Sequence, residues 1–345
     1  MKSKLQTSSS RSKWFAVFHK PALENQTILL LGVFLALTLL FSVTEPRFLS
    51  GQSVASMGFQ LPELGVLALA MMIATITGGI DLSVNAVSNL SAVLSGFFLL
   101  KMLPENAVAG QTALFVAIGL LIQIAVGWLC GTLNGFLVGR IGVPPILATL
   151  ATMTFFTGIA TGLTGGKTLT GFPEQVAVIG GQTVAGIPIP FLIFVLLTGF
   201  VYWILYRTPF GLKVRMLGTN PVAASFSGID NPAVLMRAYM VSGMLASVAG
   251  ILVMSRTMSA AIQYGSTTYV LLAILICALA GVIPGFGNLL NVFIAVIILQ
   301  IISTGSHMLL LGVQGSSFFK DFSWGVLLIL IFVLNYFMRR KTNRE

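Results

Sequence analysis

Charged side chains are scarce. Asp, Glu, Lys and Arg make up 8% of the 345 residues, where a soluble globular chain carries roughly 25%. That excludes an ordinary cytosolic enzyme, whose surface needs such groups to stay in water. Cysteine and histidine are also few, at two each. Cys130 and Cys277 both sit inside apolar runs without metal-ligand spacing and read as packing residues. His19 and His307 stand apart from any Cys, Asp or Glu at ligand spacing, which argues against a metal centre. Nucleotide signatures are incomplete. Gly166-Lys167-Thr168 looks like the end of a phosphate-binding loop, but its first glycine would fall at Thr161. Gly285-Phe286-Gly287 lacks the third glycine of a dinucleotide fingerprint, because that position is Leu290. No cofactor is expected in the chain, and no cluster of polar groups at one depth suggests a membrane-embedded enzyme.

What is present is apolar: 56% of the residues are hydrophobic, and stretches long enough to cross a bilayer recur along the whole chain. Hydropathy places helices at 25–43, 62–77, 84–101, 111–139, 146–163, 189–206, 233–254, 269–283, 288–304 and 322–338, an all-α polytopic membrane protein with about ten transmembrane helices. The first twenty residues are too polar for a signal peptide, and the run after them is long enough to remain as a span. Residues 1–24 therefore read as a cytoplasmic N-terminal segment, 25–338 as the transmembrane domain and 339–345 as a cytoplasmic tail. The net charge of +10 gathers at both ends and in one interior loop, at 207–232, with no aromatic interleaving. It is a positive-inside pattern rather than a nucleic-acid surface. Of the 19 Lys and Arg residues, only Arg47, Lys101, Lys167, Arg256 and Lys320 then face outward.

Local chemistry marks several elements. Asn220-Pro221 and Asn231-Pro232 each place a capping side chain before a proline suited to the first helical position. The first begins a short helix, Pro221 to Ser227, stopped by Gly228. Gly127, Gly131, Gly135 and Gly139 recur every four residues and form a smooth ridge where another helix can approach closely. Asn134, beside it, reads as bonding across to a neighbouring helix, with pathway lining as the alternative. Residues 68–96 run from an apolar helix through a Gly-Gly break into a second helix, and 272–301 do the same. Six crossings separate them, so the two broken elements are expected to be parallel.

Polar chemistry within the spans is confined to a few positions. Asp81 lies in the break Gly78-Gly79-Ile80-Asp81-Leu82-Ser83. It serves either as the cap of the helix that follows, where its carboxylate accepts backbone N–H groups, or as an intramembrane proton or ion site. Asn85, Ser88 and Asn89 project to one side of the third helix, and Thr154, Thr157, Thr161 and Thr164 occupy one arc of the fifth. These sets either contact a polyhydroxyl solute or satisfy themselves within the bundle.

The residues also resemble a family: the permease subunits of bacterial ABC importers for ribose, xylose, arabinose, galactose and the quorum signal autoinducer 2. The similarity spans about residues 28–338. It is carried by Thr77-Gly78-Gly79-Ile80-Asp81-Leu82-Ser83-Val84, by Leu133-Asn134-Gly135 with Val143-Pro144-Pro145-Ile146 and Thr149-Leu150, and by Thr208-Pro209-Phe210-Gly211 with Gly218-Thr219-Asn220, Ala223-Ala224 and Gly228-Ile229. The resemblance implies a bacterial inner-membrane importer. A separate ABC ATPase would bind ATP and Mg, a second permease, identical or paralogous, would sit alongside, and a periplasmic binding protein would deliver the solute. It also implies that 207–232 docks on the ATPase through Thr219, Asn220, Ala223, Ala224, Ser227 and Gly228. An ion-coupled secondary carrier using Asp81 is the alternative. The stretches Ala280 to Gly287 and Ser266 to Val270 depart from the family pattern and leave the solute and the symmetry of the pair open.

Overall fold

A computed structural model of the chain describes residues 21–104, 106–310, 322, 324–326 and 329. The N-terminal segment, most of the expected span at 322–338 and the tail at 339–345 lie outside the described residues. Helix α1 spans Pro21–Thr44, α2 Gly51–Ile76, α3 Val84–Met102, α4 Ala109–Phe136 and α5 Pro145–Thr164. After the short α6 (Glu174–Gly181), α7 runs over Ile189–Arg207, α8 over Pro209–Thr219, α9 over Pro221–Phe226 and α10 over Asn231–Thr257. They are followed by α11 (Ser266–Leu279) and α12 (Leu289–Leu309). Among the described residues eight helices are long and apolar enough to cross a membrane, and α11 is a shorter apolar helix. The described architecture is thus all-helical and multi-pass, apart from two-residue strand pairs that join Leu169–Thr170 to Ser259–Ala260 and Thr183–Val184 to Ile187–Pro188. Helices suit a bilayer because they satisfy every backbone polar group within the segment.

Several boundaries shift from the hydropathy reading by three residues or more, and two of the shifts have a clear local cause. Helix α2 begins at Gly51, well before 62, and carries Pro62 in its interior. Its first turns hold Gln52, Ser53, Ser56 and Gln60, polar enough to hide a helix start that Ser50 caps by accepting the Ser53 amide at 3.3 Å. Helix α11 ends at Leu279 rather than 283, because Gly281 turns left-handed, with φ 71°.

The glycine ridge runs along α4 and the π-helical turn that continues it, Leu137–Ile141, and meets α10. A Cβ at Gly127 would strike the Gly243 carbonyl, one at Gly131 the Tyr239 carbonyl, one at Gly135 the Met236 backbone and one at Gly139 the Pro232 carbonyl. The two backbones touch along four turns, which is how helices associate without a hydrophobic drive between them. Helices α2 and α10 fill the centre, where Leu67, Leu69, Met71, Met72 and Leu252 are fully buried. Around them α1, α4, α5 and α7 turn apolar side chains outward, including Leu35, Leu121, Leu147 and Leu196, the surface a lipid-facing helix requires.

Gly131→Leu is expected to destabilise the protein by about 1–3 kcal/mol through overpacking, read as a lower thermal midpoint in mild detergent. Gly158→Leu on α5 faces open space and should leave that midpoint in place.

Candidate functional site: two helix breaks and the polar network behind them

Both breaks open with the same turn. At the end of α2 the Gly79 amide donates to the Ala74 carbonyl and the Gly78 amide to Thr75, with Gly78 at φ 94°. At the end of α11 the Val282 amide donates to Cys277 and the Gly281 amide to Ala278. These are Schellman stops, and each needs a residue comfortable in the left-handed region. The breaks also bond to each other, since the Gly285 amide donates to the Ile76 carbonyl at 2.8 Å. A few turns back, the Cys277 thiol lies 3.6 Å from the Ala68 carbonyl, so α2 and α11 pack side by side in the same sense.

Asp81 sits in the first break and is buried. Its Oδ1 accepts the Ser83 amide at 3.1 Å and the Ser83 hydroxyl at 2.7 Å, while Oδ2 accepts the Ser242 hydroxyl of α10 at 2.9 Å. The expected cap is therefore corrected. The residue at the N-cap of α3 is Ser83, and Asp81 holds that residue rather than the helix's first turn. The network continues into α4 and α5. Asn134 donates to Ser83 Oγ at 2.7 Å, and Thr152 donates to Asn134 Oδ1 at 2.6 Å. Thr149 Oγ1 accepts the Leu82 amide at 3.1 Å. Asn134 thus bonds across to neighbouring elements, as one of its two readings had it.

The other polar positions are also occupied from within. Asn85 donates to the carbonyls of Tyr264 and Ser266, both at 2.9 Å, and Asn89 donates to those of Ile262 at 2.9 Å and Tyr264 at 3.0 Å. The two amides clamp the loop between α10 and α11, and Ser88 is buried between them. On α5, Thr154, Thr157, Thr161 and Thr164 donate back to Leu150, Met153, Thr157 and Ala160, one turn earlier. Thr154 and Thr161 are exposed, Thr157 is half-buried and Thr164 is buried.

One polar cluster escaped the sequence reading. Glu63, buried inside α2, pairs with Arg256 at the far end of α10. Arg256 also donates to the Tyr264 hydroxyl at 2.7 Å, and that hydroxyl donates to Glu63 Oε2 at 3.1 Å. Burial, and then the neighbouring carboxylate, push the Tyr264 hydroxyl above its ordinary pKa, so it remains a donor. The signal was available in sequence: a carboxylate within an apolar run implies a partner at the same depth.

At the opposite end of α10 lie α8 and α9. The Asn220 side chain accepts the amides of Val222 and Ala223, each at 3.0 Å, which is the expected cap. Gly228, at φ 76°, closes α9 with the same stop as the breaks. The second cap is corrected. Asp230 accepts the Ala233 amide at 3.1 Å and caps α10, while Asn231 lies within the helix and donates to the Pro221 carbonyl at 2.8 Å. Of the expected docking residues, Thr219, Asn220, Ala223, Ser227 and Gly228 are exposed and Ala224 faces inward. Val222 and Phe226, one turn apart on the same face, are more prominent, Phe226 being 91% exposed. The end of α8 lies directly against both breaks. A Cβ on Gly218 would strike the Ile76 carbonyl and the Gly285 backbone, and Thr219 abuts Gly285.

Residues 54–334 match the family described as the permease component of branched-chain amino acid transport systems. The chain is 31% identical over 310 residues to the ribose import permease protein of Bacillus subtilis (strain 168), covering 88% of this chain and 91% of that protein. It is 29% identical over 278 residues to the autoinducer 2 import system permease protein of Yersinia enterocolitica, covering 78% and 79%. The corresponding Yersinia pseudotuberculosis protein is 28% identical over 303 residues, covering 86% of each chain. No solved structure matches. The chain belongs to this family of ABC-importer permeases. It is a membrane transport subunit and not itself a catalyst.

Glu63→Gln removes the countercharge of Arg256 and should cost about 1–3 kcal/mol, discounted because the guanidinium is part-exposed. A lower thermal midpoint for Glu63→Gln, recovered in part by adding Arg256→Met, is the expected pattern.

Proposed function

We propose that this chain is the membrane-spanning permease of an ATP-driven importer for a sugar-like solute. A periplasmic binding protein delivers the solute, a separate ABC ATPase binds ATP and Mg, and a second permease, identical or paralogous, completes the pathway. The chain lies in a bacterial inner membrane with about ten crossings and both termini cytoplasmic, the arrangement the positive-inside rule favours. Its two broken elements are the corresponding parts of two parallel repeats. The solute class rests on the relatives, a ribose import permease and autoinducer 2 import permeases.

The observation that carries the reading is the position of α9. A six-residue helix capped at both ends presents Val222 and Phe226 outward, while the adjoining end of α8 touches both breaks. A rigid, exposed element next to the breaks is what an external motor needs to act upon. Thr219, Asn220, Ala223, Ser227 and Gly228 flank the two apolar side chains and complete the docking face, with Ala224 packing the helix from within. Asp81, Asn85, Ser88 and Asn89 act as the wall of the pathway rather than its grip, and Thr154, Thr157 and Thr161 lie on the outer side of α5. An ion-coupled carrier has no observation in its favour, because both oxygens of Asp81 already accept internal hydrogen bonds.

The test is co-purification with the ATPase encoded nearest to this chain. The two proteins should co-elute in mild detergent, and Phe226→Ala should weaken the association by about 2 kcal/mol, roughly 30-fold. Ala223→Asp should abolish it. Co-elution that neither variant disturbs would remove α9 from the interface, and a wild-type chain that binds no ATPase would contradict the importer reading.

A further inference from the structure

Helix α10 touches each part of the apparatus in turn. At its start, Asn231 holds the Pro221 carbonyl of α9, so the two helices share one elbow. Along its length the glycine ridge of α4 lies directly on its backbone. Farther on, Gly250 approaches α3 so closely that a Cβ would strike the Ser88 carbonyl. At its end Arg256 holds Glu63 of α2. Contacts of backbone on backbone leave little to compress, so α10 moves as a rod.

The first break is different. Between Ile76 and Val84 no continuous helix carries a displacement. Tyr239 of α10 presses on Gly79 there, and its buried hydroxyl has no hydrogen-bond partner, so that contact transmits a push but not a pull. The hydrogen bond from Ser242 to Asp81 Oδ2, 2.9 Å long and one turn farther along α10, is the polar tie. Asp81 grips Ser83 with its other oxygen, and Ser83 accepts from Asn134. Hydrogen bonds of this kind, away from water, are stronger than the same bonds made at a wet surface.

We propose that Ser242 and Asp81 are positioning residues for transport, whose bond makes the first break follow α10, so that movement delivered at α9 reshapes the pathway. The proposal rests on the importer reading. Both oxygens of Asp81 and the hydroxyl of Ser242 are taken up by bonds within the protein, and neither residue lies at the proposed ATPase face. Loss of the tie leaves ATP hydrolysis running and separates it from import.

The test uses vesicles containing the complete importer, with the neighbouring ATPase and binding protein, carrying wild-type chain, Ser242→Ala or Ser242→Thr. Solute imported per ATP hydrolysed is the readout. Ser242→Ala should assemble and hydrolyse ATP within about twofold of wild type while importing about tenfold less per ATP, the scale of one lost buried hydrogen bond. Ser242→Thr, which keeps the hydroxyl, should restore most of the ratio. A wild-type ratio in Ser242→Ala would overturn the proposal, as would an equal loss in both variants or failure of Ser242→Ala to assemble. Absence of ATP-driven import by the wild-type complex in the same vesicles would instead refute the importer reading itself.

Discussion

The close approach of α4 to α10 sets the frame. Four glycines remove the side chains that would hold the two helices apart, and the carbonyls of Pro232, Tyr239 and Gly243 fill the space. In a bilayer there is no hydrophobic gain from bringing helices together, because lipid tails are as apolar as leucine, and tight van der Waals contact has to do the holding. Once α10 is fixed against α4, its other faces are presented to α2 and α3. Ser242 then reaches Asp81, Gly250 reaches the Ser88 carbonyl and Arg256 reaches Glu63.

The polar side chains obey the same constraint. A buried carboxylate is tolerable where donors converge on it, and Asp81 gathers three from two residues. Asn85 and Asn89 spend both amide hydrogens on carbonyls of the loop before α11. Both oxygens of Asp81 and the amide hydrogens of Asn85 and Asn89 are therefore already occupied within the protein.

Much of this was legible in sequence because it depends on neighbours along the chain. Spans follow from hydropathy, the glycine ridge from its period of four, and the Asn220 cap from a proline one residue on. The breaks show as Gly78-Gly79 and as Gly281 with Gly285. What the sequence hid depends on residues distant in the chain. Asp81 reads as a cap until Ser242, 161 positions away, takes its second oxygen. Asn231 reads as a cap because it precedes a proline, whereas Asp230 is better placed and Asn231 is drawn to Pro221. Glu63 shows in sequence as a carboxylate in an apolar run, but its partner Arg256 lies 193 positions away.

The central claim is that an external ATPase drives solute through this chain, and solute accumulation in vesicles containing the assembled importer tests it most directly. The account predicts accumulation that requires ATP inside the ATPase compartment and survives ionophores that collapse proton and sodium gradients. Accumulation by this chain alone, driven by an ion gradient and abolished by those ionophores, would contradict it.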